Sequence, residues 1–136
     1  MLKITVDEDC GNAPKKLLLK EFYIALAKND LSFVSQNLSD DVTRIVPGGK
    51  PARGKEKVVA EMEQTGQRAT TELVINNIIT HGNNATANGL LKFPDGKRYA
   101  ICDDYKFGLA NKETKIKEIT SYGIELKNNY RTLCGK

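Results

Sequence analysis

No run of apolar residues in this chain reaches the ~18 that a membrane-spanning helix needs, so no such helix is expected. The opening Met1-Leu2-Lys3-Ile4-Thr5-Val6-Asp7-Glu8-Asp9 lacks the apolar centre of a secretory signal. Histidine is nearly absent. With His81 alone, a His-rich metal site is excluded, and so is a Ser-His-Asp arrangement that does not use His81. Cysteine is scarce too: Cys10, Cys102 and Cys134 have neither metal-ligand nor redox spacing, and an odd number argues against a disulfide framework. A reducing cytoplasm is the expected compartment. No cofactor motif is visible, so neither cofactor nor metal is expected. Basic residues outnumber acidic ones, 21 to 17, but in short runs such as Lys15-Lys16 and Lys112, Lys115, Lys117. Without interleaved aromatics or a nucleic-acid motif, these make neither nucleic acid nor membrane an expected partner.

What is present suits one globular domain. The 136 residues, 40% hydrophobic and 28% charged, are enough for a single sizeable core. Residues 1–13 read as a polar lead-in ending at Gly11-Asn12. Pro14 suits a first helical turn, and Leu18, Phe22, Ala25 and Leu26 recur at helical spacing, which predicts a helix over 14–28. Asp30 can cap a shorter helix with Leu31, Val34 and Leu38 on its buried edge, closed by Ser39-Asp40-Asp41. Residues 42–46 read as a brief strand, stopped by Pro47-Gly48-Gly49 and a loop to Gly54. A third helix follows over 55–64, with Val58, Val59 and Met62 inward.

From Thr70 the period becomes two. Leu73, Ile75 and Ile78-Ile79 mark a long strand turning at Gly82-Asn83-Asn84, with a return over 85–93. Asp95-Gly96 signals a tight hairpin into a strand over 99–107, and Asn111-Lys112-Glu113 turns into a last strand over 116–126. The tail from Lys127 is polar. Helices followed by a meander of antiparallel strands read as α+β, with three N-terminal helices packed on a curved antiparallel sheet whose mouth admits a small molecule.

The strand over 99–107 carries the chemistry. Its odd face is Tyr99, Ile101, Asp103, Tyr105 and Phe107; its even face is Ala100, Cys102, Asp104 and Lys106. A lone carboxylate on an apolar face is costly to bury unless paired or protonated, so Asp103 either lines a cavity or sits at a rim beside Arg44 or Lys106. Arg44 shares a face with Val42 and Val46, and either enters the cavity to bind an anionic group or snorkels to water. Tyr99, Tyr105 and Tyr122 offer hydroxyls to a ligand or simply pack. His81 reads as an exposed strand end. Cys102 reads as a packing residue, since Asp104 opposes a thiolate.

The order of these elements resembles the nuclear transport factor 2-like superfamily, which includes ketosteroid isomerases and SnoaL-like polyketide cyclases. The matching stretches are Phe22-Tyr23-Ile24-Ala25-Leu26-Ala27-Lys28-Asn29-Asp30, Asp40-Asp41-Val42, Pro47 to Gly54, and Gly54-Lys55-Glu56-Lys57-Val58-Val59. They continue with Asp103-Asp104-Tyr105-Lys106-Phe107 and with Lys115-Ile116 followed by Tyr122. The resemblance covers residues 14–126 as one domain, between the lead-in 1–13 and the tail 127–136. It implies a cone-shaped, cystatin-like fold.

It also implies roles. Asp103 falls where ketosteroid isomerases keep a protonated aspartic acid facing the developing oxyanion, the standard case of an acid kept neutral by apolar surroundings. The tyrosine sharing that oxyanion hole aligns with Phe22, which has no donor; Tyr23 is adjacent but points about 100° away around the helix. The catalytic base aligns with Val46, which cannot move a proton, so ketosteroid isomerisation by the family's route is not expected. The implied catalytic residue is Asp103, and the ligand-binding set is Phe22, Arg44, Val46, Tyr99, Ile101, Tyr105 and Tyr122. Two functions follow. One is a small-molecule protein that binds or transforms an apolar ligand with a polar group by cofactor-free acid/base chemistry, of isomerase, cyclase or hydratase type if an enzyme. The other is a non-catalytic ligand-binding or interaction module. Both accommodate a homodimer formed through the even face.

Overall fold

The structure is a computed structural model that describes residues 2–7, 11, 13–66, 70–110 and 112–127. Cys10, Cys134 and the tail after Lys127 lie outside the described residues. Helix α1 (Pro14–Ala27) starts at the proline, whose missing N–H costs nothing in a first turn. Helix α2 (Leu31–Gln36) is capped by the Asp30 carboxylate, which accepts from the Phe33 N–H at 3.3 Å. Helix α3 (Lys55–Gly66) springs from Gly54, which turns the chain at φ +94°.

Seven strands complete the described chain: β1 (Lys3–Val6), β2 (Leu38–Ile45), β3 (Ala52–Arg53), β4 (Glu72–His81), β5 (Asn84–Lys92), β6 (Arg98–Ala110) and β7 (Glu113–Leu126). They form one curved, unclosed sheet in the order β1-β4-β5-β6-β7-β2-β3. The architecture is α+β, as the change of period indicated, but the sheet is mixed rather than antiparallel, because β1 pairs with β4 and β2 with β7 in parallel.

Four local expectations give way. The lead-in contains β1, which pairs parallel with β4 from Lys3 opposite Glu72 to Val6 opposite Ile75. Leu38 is not a helix residue, and Ser39-Asp40-Asp41 is not a closing turn. Asn37 ends α2 by donating its side-chain amide to the Phe33 carbonyl at 2.9 Å, and its own carbonyl accepts from the Ile116 N–H at 2.9 Å, so pairing with β7 begins immediately. The loop toward Gly54 contains β3, which pairs with Thr43 and Arg44. Finally, alternation in β4 breaks at a bulge between Ile75 and Asn77, so Leu73, Ile75 and Ile78 are all buried while Ile79 is exposed. Beside the bulge, Gly89 is required: a Cβ there would lie 1.8 Å from the Val74 carbonyl oxygen.

One core joins helices and sheet. It holds Leu19, Phe22 and Tyr23 from α1, Val58 and Met62 from α3, and Leu73, Ile78, Tyr105, Phe107, Ile116 and Ile119 from the strands. Helix α1 packs against β4, and α3 against β2. These two contacts leave a gap over the middle of β6.

Candidate functional site

Asp103 is at the centre of that gap. It sits midway along β6, between Ala87 of β5 and Ser121 of β7, and is 9% exposed. Around it is a cavity of about 370 Å³, at the small end of the roughly 300–1,000 Å³ of small-molecule sites. Of the residues singled out above, Phe22, Arg44, Val46, Tyr99, Ile101, Asp103, Tyr105 and Tyr122 all border this cavity. Leu26, Met62, Leu73, Leu91, Phe93 and Ile119 complete its apolar wall.

A phenolic donor to Asp103 is present, one residue from the position that the resemblance implied. Tyr23 is buried and donates its hydroxyl to Asp103 Oδ2 at 2.5 Å, while Phe22 is fully buried with its ring edge-on to Tyr105 at 6.3 Å. The expectation that Tyr23 points away is therefore corrected. The buried face of α1 spans Leu19, Phe22 and Tyr23, an arc wide enough to take two adjacent residues. The Tyr105 ring stands edge-on to Tyr23 at 6.2 Å, and their hydroxyls share a hydrogen bond.

On the other side of Asp103, Ser121 hydrogen-bonds the carboxyl and accepts from Arg44 Nε at 3.3 Å. Arg44 Nη1 is 3.2 Å from Glu61 Oε1 on α3. Asp103 is therefore not a rim carboxylate paired with Lys106, which is exposed and faces Glu118 at 3.8 Å. Arg44 reaches it only through Ser121 or at longer range.

Burial pushes the Asp103 carboxyl above its ordinary 3.8. The hydrogen bonds from Tyr23 and Ser121 and the Arg44 charge pull the other way, and Asp104 adds a small upward push. Burial likewise holds the Tyr23 and Tyr105 hydroxyls well above 10, so both remain donors.

Three groups escaped the sequence reading: Tyr23 as a donor, Ser121 and Glu61. Counting the β6–β7 hairpin outward from Ala110 opposite Glu113 would set Thr120 against Asp103; a bulge between Lys106 and Phe107 advances the register to Ser121. Glu61 follows only from where α3 docks. Tyr99 packs edge-on against Phe93 at 5.6 Å. Val46 lies just past β2 and is 43% exposed. Tyr122 pairs with Cys102, so its register is that of the opposite face, and it meets the cavity at the rim. His81 is exposed at the end of β4, and Cys102 Sγ lies 3.7 Å from Thr86 Oγ1. Among the described residues, no three His, Cys, Asp or Glu side chains cluster as a metal site, and no helix is long and apolar enough to cross a membrane.

No family model matches the sequence, and no curated protein does. Solved structures do match. A candidate ketosteroid isomerase from Kribbella flavida superposes with a TM-score of 0.68 at 14% identity, over 85% of this chain and 82% of that one. A candidate SnoaL-like polyketide cyclase from Shewanella denitrificans gives 0.67 at 13% identity, over 83% and 92%. An NTF2-like protein of unknown function from Cytophaga hutchinsonii gives 0.62 at 21% identity, over 79% and 87%. At these identities the likeness is one of fold. The chain has the nuclear transport factor 2-like fold.

Proposed function

We propose that this chain binds or transforms an apolar small molecule bearing one polar group, which is received by Asp103 in the cavity. The observation that carries this reading is a carboxyl group 9% exposed in a largely apolar cavity, hydrogen-bonded to a buried phenol at 2.5 Å. A protonated Asp103 would donate to a carbonyl or enolate oxygen, with Tyr23 and Tyr105 as supporting donors. No base stands at Val46, so any chemistry would be cofactor-free acid/base chemistry of isomerase, cyclase or hydratase type by another route. Phe22, Tyr99, Ile101 and the rim residue Tyr122 would form the ligand-binding wall. The proposal includes the cone-shaped, cystatin-like form of the fold, with residues 14–126 as its body, and a cytoplasmic setting.

The second reading, a non-catalytic dimeric module, is favoured by the valine at position 46 and by exposed apolar residues on the sheet's opposite face, Ile79 and Ile124. Titration with 2-naphthol, followed by NMR, tests the cavity. Shifts should concentrate at Tyr23, Ile101, Asp103 and Tyr105 and spare Asp104 and Lys106; shifts confined to Asp104 and Lys106 would remove the reading. Deuterium exchange from D₂O into the methyl group of 2-acetylnaphthalene then separates the two functions. Accelerated exchange that Asp103→Asn abolishes marks an enzyme, and exchange at the solvent rate marks a binding module.

A further inference from the structure

The cavity wall holds a cation that the acid/base reading does not use. Arg44 borders the cavity with its side chain 21% exposed. Two neighbours fix its guanidinium plane: Glu61 Oε1 at Nη1, 3.2 Å, and Ser121 Oγ at Nε, 3.3 Å. A guanidinium has five N–H donors in a rigid fork. Two are used, and among the described residues three have no acceptor. We propose that the ligand of this cavity is a monocarboxylate, an apolar acid whose carboxylate is received by Arg44 beside Asp103. The inference rests on the preceding reading, that the cavity is a ligand site, and adds the class of its polar group.

Three features favour a carboxylate over a neutral carbonyl. Glu61 is 41% exposed, so water weakens its pairing with Arg44, and the guanidinium can be shared with a second anion at little cost. A fork already oriented by two anchors loses little freedom on taking a second planar acceptor, and guanidinium–carboxylate pairs are short and charge-assisted. The third is Asp103, which hydrogen-bonds the same Ser121 that anchors Arg44. With its carboxyl pushed up by burial, a protonated Asp103 adds a donor beside the cation for the second carboxylate oxygen.

Two rigid probes of nearly equal shape decide the matter. In 2-naphthoate and 2-acetylnaphthalene, the carboxylate and the acetyl group have the same number of heavy atoms. By calorimetry, 2-naphthoate should bind at least about tenfold more tightly than the ketone, the range of a charge-assisted hydrogen bond. Arg44→Gln should erase that preference, weakening naphthoate at least about tenfold more than it weakens the ketone. Ketone binding as tight as naphthoate binding in the wild type overturns the inference and leaves the ligand site standing. Binding of neither probe overturns both. If Arg44→Gln fails to fold, the wild-type Arg44 Nε–H resonance decides: a shift with naphthoate and not with the ketone supports the pairing, and no shift with naphthoate overturns it.

Discussion

Asp103 is held between opposing influences, of which burial is the largest. Burial favours the protonated acid, whereas Tyr23, Ser121 and Arg44 favour the carboxylate; the net displacement is upward from 3.8. The fold therefore prefers the protonated form. That contribution to stability is complete below about pH 4 and is lost as pH rises through the raised folded value. Asp103→Asn keeps the shape without the charge, so urea unfolding from pH 4 to pH 8 should show the variant gaining on wild type as pH rises. The gain should be about 1.4 kcal/mol for each pH unit by which the folded carboxyl titrates above the unfolded one. A difference constant across that range would mean Asp103 titrates normally. Tyr23→Phe removes a bond that stabilises the charged form, so carboxyl-carbon NMR should find Asp103 titrating higher still. The same variant should cost about 1–3 kcal/mol of stability, as expected when a buried partner is left unpaired. Tyr105→Phe should move Asp103 less, because the Tyr105 hydroxyl meets Tyr23 rather than the carboxyl. Val46 borders the cavity and has no group that moves a proton, so the wild type should give no absorbance change with a β,γ-unsaturated ketosteroid, and turnover abolished by Asp103→Ala would refute that.

At the scale of elements, the sheet's curvature depends on defects that alternation does not reveal. The bulge at Asn76 brings the β5 backbone so close that Gly89→Ala places a Cβ 1.8 Å from a backbone carbonyl. That variant should lose at least about 2 kcal/mol in urea unfolding, as overpacking of a rigid site does, while the exposed Asn88→Ala stays within about 0.5 kcal/mol. The same physics sets what the sequence could tell. Period and punctuation located α1, α3 and the four long strands, because each buries a face of its own. Strands β1 and β3 are short edges, formed by pairing with β4 and β2 rather than by their own pattern. Leu38 is apolar at a helix terminus, and only the Asn37–Ile116 bond commits it to a strand. The site divides likewise. The alternating face of β6 marked Asp103, and shared strand faces marked Arg44 and Tyr105. Ser121 depended on a bulge, and Tyr23 on the width of a helix's buried arc.

For the molecule as a whole, the composition of the sheet face opposite Asp103 favours a second copy of the chain. Single exposed apolar residues are ordinary, but contiguous ones mark contact surfaces. Here Ile124, 68% exposed, lies opposite Ala100, which lies opposite Leu90; one step along, Tyr122 lies opposite Cys102. Ile79, 58% exposed, stands on the same face on β4, beyond Thr86. Polar groups fit the same reading. Asp104 is exposed between Thr86 and Thr120, and Lys106 is two residues along the same face. A two-fold axis would bring each residue to the other's copy. Lys106 would have to leave Glu118, but that half-exposed pair at 3.8 Å is worth only about 0–1 kcal/mol, so the exchange is cheap. Sedimentation equilibrium at micromolar protein should therefore give twice the 15.1 kDa chain mass. Ile124→Lys should return the single-chain mass with its circular dichroism unchanged, because a side chain that exposed contributes little to the fold of one chain. A wild-type mass of one chain would leave the opposite face to solvent and remove the dimer. A dimer indifferent to Ile124→Lys would place its contact elsewhere on the molecule.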